Sequence, residues 1–199
     1  MLNIYKTDLE TNDFKKIKEF KPGSWISLIN PTDEEIAMVC SELDISDEFI
    51  RYPLDYEEQA RIDIDDDMTL FVVDVPIIED DSDGKSYSTM PLGMIVVRDE
   101  FFITVSLRKN RIIDSFEKGR VKGMCTYKKT RFLIQILYLN ASYYLNDLKK
   151  INRQTERTVQ ALQKSMRNKE LIQLLNVEKS LVYITTSLKA NELVMEKTA

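Results

Sequence analysis

All five glycines and all five prolines of this chain fall within its first 123 residues. They are Gly23, Gly84, Gly93, Gly119 and Gly123, with Pro22, Pro31, Pro53, Pro76 and Pro91. Glycine weakens regular structure through its backbone freedom, and proline through its fixed φ and missing N–H. Residues 124–199 contain neither, which is a strong helix signal over a long stretch. The chain therefore divides into a turn-rich head, residues 1–123, and a helical extension, residues 124–199. The extension runs to Thr198-Ala199 without a capping signal, so the chain is expected to be a piece of something larger.

A length of 199 residues allows one good-sized core with some elaboration, not two large domains. The 43% hydrophobic and 31% charged content is that of a globular protein in water. Cys40 and Cys125 lack metal-ligand spacing and read as free thiols in a reducing compartment. No N-terminal segment resembles a signal peptide, and no apolar run approaches the roughly 18 residues that a membrane span needs. The net charge of −5 is uneven: residues 124–199 carry 13 Lys and Arg against 6 Asp and Glu, leaving −12 on the head. Lys149, Lys150, Arg153, Arg157 and Lys164 spread around a helix and lack an aromatic platform. They read as solvated faces, not as a nucleic-acid interface.

Strand candidates open the head at Leu2–Thr7, Phe14–Glu19 and Trp25–Asn30, the third alternating as a strand with one wetter face. Pro31 ends it, since proline biases its predecessor away from the α region. Thr32 or Asp33 then caps a helix whose first turn holds Glu34 and Glu35 and whose apolar face is Ile36, Val39, Cys40 and Leu43. A short helix over Ser46–Tyr52 stops at Pro53. Strands follow at Arg61–Asp65, Thr69–Ile78, Thr89–Val97 and Phe101–Leu107, with a tight hairpin at Arg98-Asp99-Glu100. Asn110–Lys118 reads as a short amphipathic helix.

Two long helices complete the pattern, about Lys128–Met166 and Lys169–Lys197, with a turn near Arg167-Asn168. Their apolar spacing alternates between three and four with slips, which describes an antiparallel helical hairpin. Ile136, Tyr143, Leu174 and Leu181 form its expected buried stripe. At 1.5 Å per residue the first helix would be about 58 Å long, so part of the hairpin is expected to project from the head.

The chain has no histidine. That removes Ser-His-Asp and Cys-His catalysis, imidazole metal sites and the commonest general base. Gly84-Lys85-Ser86 echoes the end of a phosphate-binding loop, but the opening glycine position is Glu79. Glu79-Asp80-Asp81-Ser82-Asp83-Gly84 echoes half of a calcium loop, but its twelfth position is Met90 and its flanks read as strands, so a solvated turn is the better account. Asn140-Ala141-Ser142 is a glycosylation triplet only formally, being inside a helix. The acidic cluster Asp55, Glu57, Glu58, Asp63, Asp65, Asp66, Asp67 has the hard oxygen ligands that magnesium favours, although on chemistry alone a solvated helix end and strand turn is the better account.

In order and spacing these features resemble the cytoplasmic domain of the CorA family of magnesium and cobalt transporters. The resemblance rests on Trp25-Ile26-Ser27-Leu28-Ile29-Asn30-Pro31-Thr32-Asp33-Glu34-Glu35, on Leu54-Asp55 with Glu58, and on Arg61-Ile62-Asp63. Val72 to Pro76, Thr89-Met90-Pro91-Leu92-Gly93, Phe102-Ile103-Thr104-Val105, the hairpin from Phe132 and Leu188-Lys189-Ala190-Asn191-Glu192 add to it. It implies an α/β (α+β) fold, a mixed sheet between helical layers followed by the helical hairpin. It implies a stalk helix and two transmembrane helices beyond Ala199, a Gly-Met-Asn motif at the pore, and a homopentamer in the cell membrane with this domain on the cytoplasmic side.

By the same resemblance, Mg2+, and also Co2+, would be regulatory ligands between subunits. Asp55, Glu58 and Asp63 are the candidate metal residues; the family's regulatory aspartate position is occupied here by Tyr52, so either Asp55, about one helical turn on, replaces it or this branch lacks that site. The chain would then be a regulatory and assembly domain, not an enzyme, and by itself unable to conduct ions. The competing reading is a soluble adaptor that presents its helical hairpin to a protein partner.

Overall fold

The computed structural model describes residues 1–65, 67–81, 84–164 and 168–198. Seven strands form one sheet: β1 (Leu2–Thr7), β2 (Phe14–Ile17), β3 (Ser24–Ile29), β4 (Arg61–Asp65), β5 (Met68–Asp81), β6 (Gly84–Val97) and β7 (Phe101–Ser106). Their order is β2-β1-β3-β7-β6-β5-β4. The β3–β7 pair is parallel and the other neighbours are antiparallel, so the sheet is mixed as expected.

The sheet lies between two helical layers. On one face Ile26 and Leu28 meet Ile36, Val39 and Leu43 of α1 (Asp33–Leu43) and Ile50 of α2 (Glu48–Arg51). On the other, Trp25 and Ile29 meet Ile112 and Phe116 of α3 (Arg111–Glu117), Phe132 and Ile136 of α4 (Lys129–Lys164), and Val194 of α5 (Asn168–Thr198). Phe132 packs its ring against Trp25, Phe102 and Phe116 at centroid distances of 5.1, 4.7 and 4.8 Å.

β3 corrects its expected character. All six of its residues are buried, so it has no wet face. Ser27 alternates with the apolar residues because it lies under α3 and donates to Glu117 Oε1 at 3.2 Å. α1 begins as the sequence suggests: the Thr32 side chain accepts from Glu35 N–H, and the Glu35 carboxylate accepts from Thr32 N–H, closing a capping box. The short helix does not stop at Pro53. It tightens into a 3₁₀ turn, Tyr52–Leu54, where an early proline costs no needed N–H.

β5 and β6 each run 14 residues, longer than foreseen toward their shared tip. β4 pairs with β5 only as far as Val72, and β7 pairs with β6 only from Leu92. Beyond those points β5 and β6 form a two-stranded ribbon with both edges uncovered by strands, and α4 and α5 lie along it. Ser82 and Asp83 of the calcium-like stretch, Asp66 of the acidic cluster and the helical positions Met166 and Arg167 lie outside the described residues.

The two long helices run antiparallel. Thr158 of α4 reaches Gln173 of α5, while Asn140 and Asn191 both reach Asp74. The α5 stripe differs from the expected one. Its buried residues are Val177, Ser180, Ile184, Ser187, Asn191 and Val194, whereas Leu181 is 39% exposed and Leu174 only half-buried. Large apolar residues lie all around α5, so apolarity alone could not select the inner face.

Candidate functional site

The segment from α2 to β4 carries the sequence-predicted metal residues, and close packing fixes its base. A Cβ on Gly93 of β6 would lie 2.2 Å from Pro53 Cγ, so only glycine lets the 3₁₀ turn sit this near the sheet. Asp55 ends that turn, exposed to solvent, and its Oδ1 accepts from Glu57 N–H at 2.9 Å. Among the described residues it makes no ion pair.

Glu58 and Asp63 are brought together by a cation of the protein's own. Arg61 donates through Nε to Asp63 Oδ2 at 2.6 Å and through Nη1 to Glu58 Oε1. Its guanidinium also lies over the Tyr52 ring, 4.9 Å from the centroid. Burial works against the charged form, yet Asp63 and Glu58 together hold the guanidinium above its ordinary value. Both carboxylates are thus compensated within the chain, and a divalent ion would have to compete with Arg61 for them. Among the described residues, no group of three or more His, Cys, Asp or Glu side chains could hold a metal ion.

Arg61 is the member of this cluster that the carboxylate-centred reading missed. Its signal was present: residues 61 and 63 share one face of a strand, and Glu58 lies three residues back. Tyr52, where the family resemblance expects an aspartate, supplies a cation–π surface for that arginine instead of a ligand oxygen.

A second polar constellation lies where α4 and α5 cover the ribbon. The Asp74 carbonyl accepts from Asn140 Nδ2 at 2.8 Å, Asn191 Nδ2 at 2.8 Å and the Tyr144 hydroxyl at 3.2 Å. Asn140 is therefore a buried structural amide. Burial pushes the Asp74 carboxyl above the usual range, with a hydrogen bond from Ser187 opposing the shift. No residue of this network was singled out from the sequence as polar machinery, because Asn140 and Asn191 read as ordinary helix positions.

The comparisons with known proteins agree with this architecture. The family model described as "CorA-like Mg2+ transporter protein" matches residues 21–199, and the chain belongs to that family. It is 26% identical over 178 residues to the cobalt/magnesium transport protein CorA of Methanocaldococcus jannaschii, covering 84% of this chain and 52% of that one. The chain thus spans about half the length of this curated relative. Its fold is that of the soluble domain of the same organism's CorA: the TM-score is 0.83 at 23% identity, over 98% of this chain and 77% of the other. The ZntB cytoplasmic domain from Vibrio parahaemolyticus shares the fold more distantly, with TM-score 0.60 at 11% identity over 98% and 95% of the two chains. The family is one of transporters, and the reading of the chain as no enzyme rests on that membership. No helix among the described residues is long and apolar enough to cross a membrane.

Proposed function

We propose that this chain is the cytosolic regulatory and assembly domain of a CorA-type divalent cation channel that conducts Mg2+ or Co2+. The observation that carries the reading is the family match across residues 21–199, supported by a fold held in common over nearly the whole chain. In this reading residues 1–123 form the sensing head and residues 124–199 the hairpin against which a stalk helix packs. The complete subunit continues into the membrane, and five subunits surround the pore.

Such a domain works by linkage. A cation held between subunits favours the closed, symmetric ring, and its loss shifts the population toward open states. Asp55 is the residue we assign to the cation, since its exposed carboxylate makes no ion pair among the described residues and ends a turn fixed by the Pro53–Gly93 contact. Glu58 and Asp63 join it only where Arg61 releases them. Tyr52, 36% exposed at the start of this turn, is available to a neighbouring subunit.

The adaptor reading retains one observation in its favour. Leu171, Ile172, Leu175, Val182 and Tyr183 leave α5 with an exposed apolar surface. In the channel reading the rest of the same subunit covers it. Expression of the whole gene in cells lacking magnesium uptake tests the choice. Restored growth at low magnesium, lost on removing the sequence after Ala199, is the expected outcome; no rescue by the whole gene overturns the channel reading.

A further inference from the structure

We propose that the cleft between α4 and α5 binds an alkylammonium group, either a free amine or the end of a lysine side chain. The cleft has a volume of about 520 Å³, within the range of small-ligand sites. Leu137, Asn140, Tyr144 and Asn191, all buried, form its floor, and Leu188 and Met195 add apolar walls.

One atom of that floor is unsatisfied. Asn140 is 4% exposed and donates through Nδ2 to the Asp74 carbonyl at 2.8 Å. A carbonyl only accepts, so the amide orientation is fixed and Oδ1 turns the other way, toward the cleft that Asn140 lines. Among the described residues this buried oxygen accepts from nothing. Tyr144 and Asn191 spend their polar groups on Asp74. A buried acceptor left unpaired is costly, and native interiors rarely keep one. The cleft is therefore built for an incoming donor.

The rim sets the charge of that donor. Glu192 and Glu196, four residues apart on one face of α5, line the cleft together with Lys189. None of the three makes an ion pair among the described residues. Two carboxylates against one ammonium leave the rim negative, which favours a cation. A primary ammonium brings three N–H donors and no acceptor, and its methylene stem covers Leu137, Leu188 and Met195. A hydrated divalent ion also offers donors through its waters, but it has no apolar part to lay against these walls.

Titration of the isotope-labelled 199-residue chain with n-pentylammonium chloride, at low salt and without divalent ions, followed by NMR chemical shifts, tests the site. Saturable binding with Kd about 1 mM is expected, and the Asn140 side-chain amide should be among the resonances that move. 1-Pentanol, the same stem without the charge, should bind about tenfold more weakly or worse. Glu192→Gln with Glu196→Gln should weaken binding about tenfold, whereas Lys189→Gln should strengthen it about twofold. Glu156→Gln with Glu178→Gln removes the same charge from exposed positions of α4 and α5 outside the cleft and should leave binding within about twofold. No saturation below about 10 mM, an unmoved Asn140 amide, equal binding of 1-pentanol, equal losses in the two double variants, or displacement by about 1 mM magnesium chloride would each overturn the proposal. The same titration of the whole gene product identifies the source of the ammonium. Binding retained there assigns the cleft to a free amine. Binding lost there, with a zero-length carbodiimide crosslink joining Glu192 or Glu196 to a lysine, assigns it to that lysine; loss without the crosslink overturns the proposal. The growth assay does not enter these outcomes, so the two readings fail separately.

Discussion

The carboxamide of Asn191 satisfies both backbone groups of Asp74, 117 residues away in the chain. Its Oδ1 accepts from Asp74 N–H and its Nδ2 donates to Asp74 C=O, each at 2.8 Å. Asp74 lies two residues past Val72, where β4 stops pairing, so these groups face an edge with no strand beside it. At the next such position, Pro76 has no N–H to satisfy, and its carbonyl accepts from Arg111 at 3.3 Å. The opposite edge is treated alike: Tyr87 N–H donates to Ser180 Oγ at 3.0 Å. Helix side chains thus replace a missing strand, and an edge open to pairing with other chains is closed.

Asn191→Ala should therefore destabilise the chain by about 1–3 kcal/mol, the cost of a buried donor left unpaired. The Asp74 carbonyl keeps Asn140 and Tyr144, so the loss falls on the N–H. Urea denaturation measures it. A change within experimental error would mean that water satisfies the edge as well as the asparagine does.

Gly93 and Pro53 offer a test of how the 3₁₀ turn is seated. Gly93→Ala places a methyl against the proline ring and should cost about 1–3 kcal/mol by overpacking. Pro53→Ala in the same chain removes the nearest ring atoms and should recover part of that loss. A double-mutant cycle with no coupling would show that the turn moves away freely.

The helical hairpin shows where sequence reasoning succeeds and fails. Ile136→Ala and Ile184→Ala should each destabilise by about 2–5 kcal/mol, since both side chains are buried. Leu181→Ala, which the expected stripe would have placed with them, should cost far less. Thermal melts of the three variants decide the register of α5.

α1 was legible because its cap, acidic first turn and apolar face agree, and β1, β4 and β7 because their runs are short and bounded by turn residues. β3 was not, because Ser27 reads as a solvent-facing alternation while in fact lying beneath α3. α5 was legible as a helix but its inner face was not, because that face mixes Ser180, Ser187 and Asn191 with valine and isoleucine. Lys150, Arg153 and Arg157 read as solvated from the sequence, and all three are exposed in the structure.

Asp74 also makes stability depend on pH. Its carboxyl is raised from 3.8 chiefly by burial, so the folded state holds the proton more tightly than the unfolded state. Stability from this group is highest below the unfolded value, falls as pH rises through the raised folded value, and is level beyond it. Asp74→Asn should remove that fall. Chemical denaturation should find the variant more stable than the parent near neutrality, with the gain shrinking toward acid pH. A gain that does not vary with pH would assign the effect to packing.

Arg61 bears on the cation question through a sign that is simple to read. With Arg61 in place, Glu58 and Asp63 are already paired, and Asp55 alone faces solvent. Magnesium gives up its water reluctantly and leans on one or two carboxylates, so the chain alone should bind it at about 1 mM or more weakly, with affinity fading as salt is added. Arg61→Gln frees the two carboxylates that Arg61 now pairs and should strengthen that binding severalfold, at a cost in stability from the lost ion pairs. Asp55→Ala should weaken it; under the proposed channel reading, in which a neighbouring subunit completes the oxygen shell, it should also weaken magnesium protection of the whole channel subunit against proteolysis. Calorimetry separates the cases. If Arg61→Gln leaves magnesium affinity unchanged while Asp55→Ala abolishes it, the cation uses Asp55 alone, and Glu58 and Asp63 serve only to hold Arg61 beneath Tyr52.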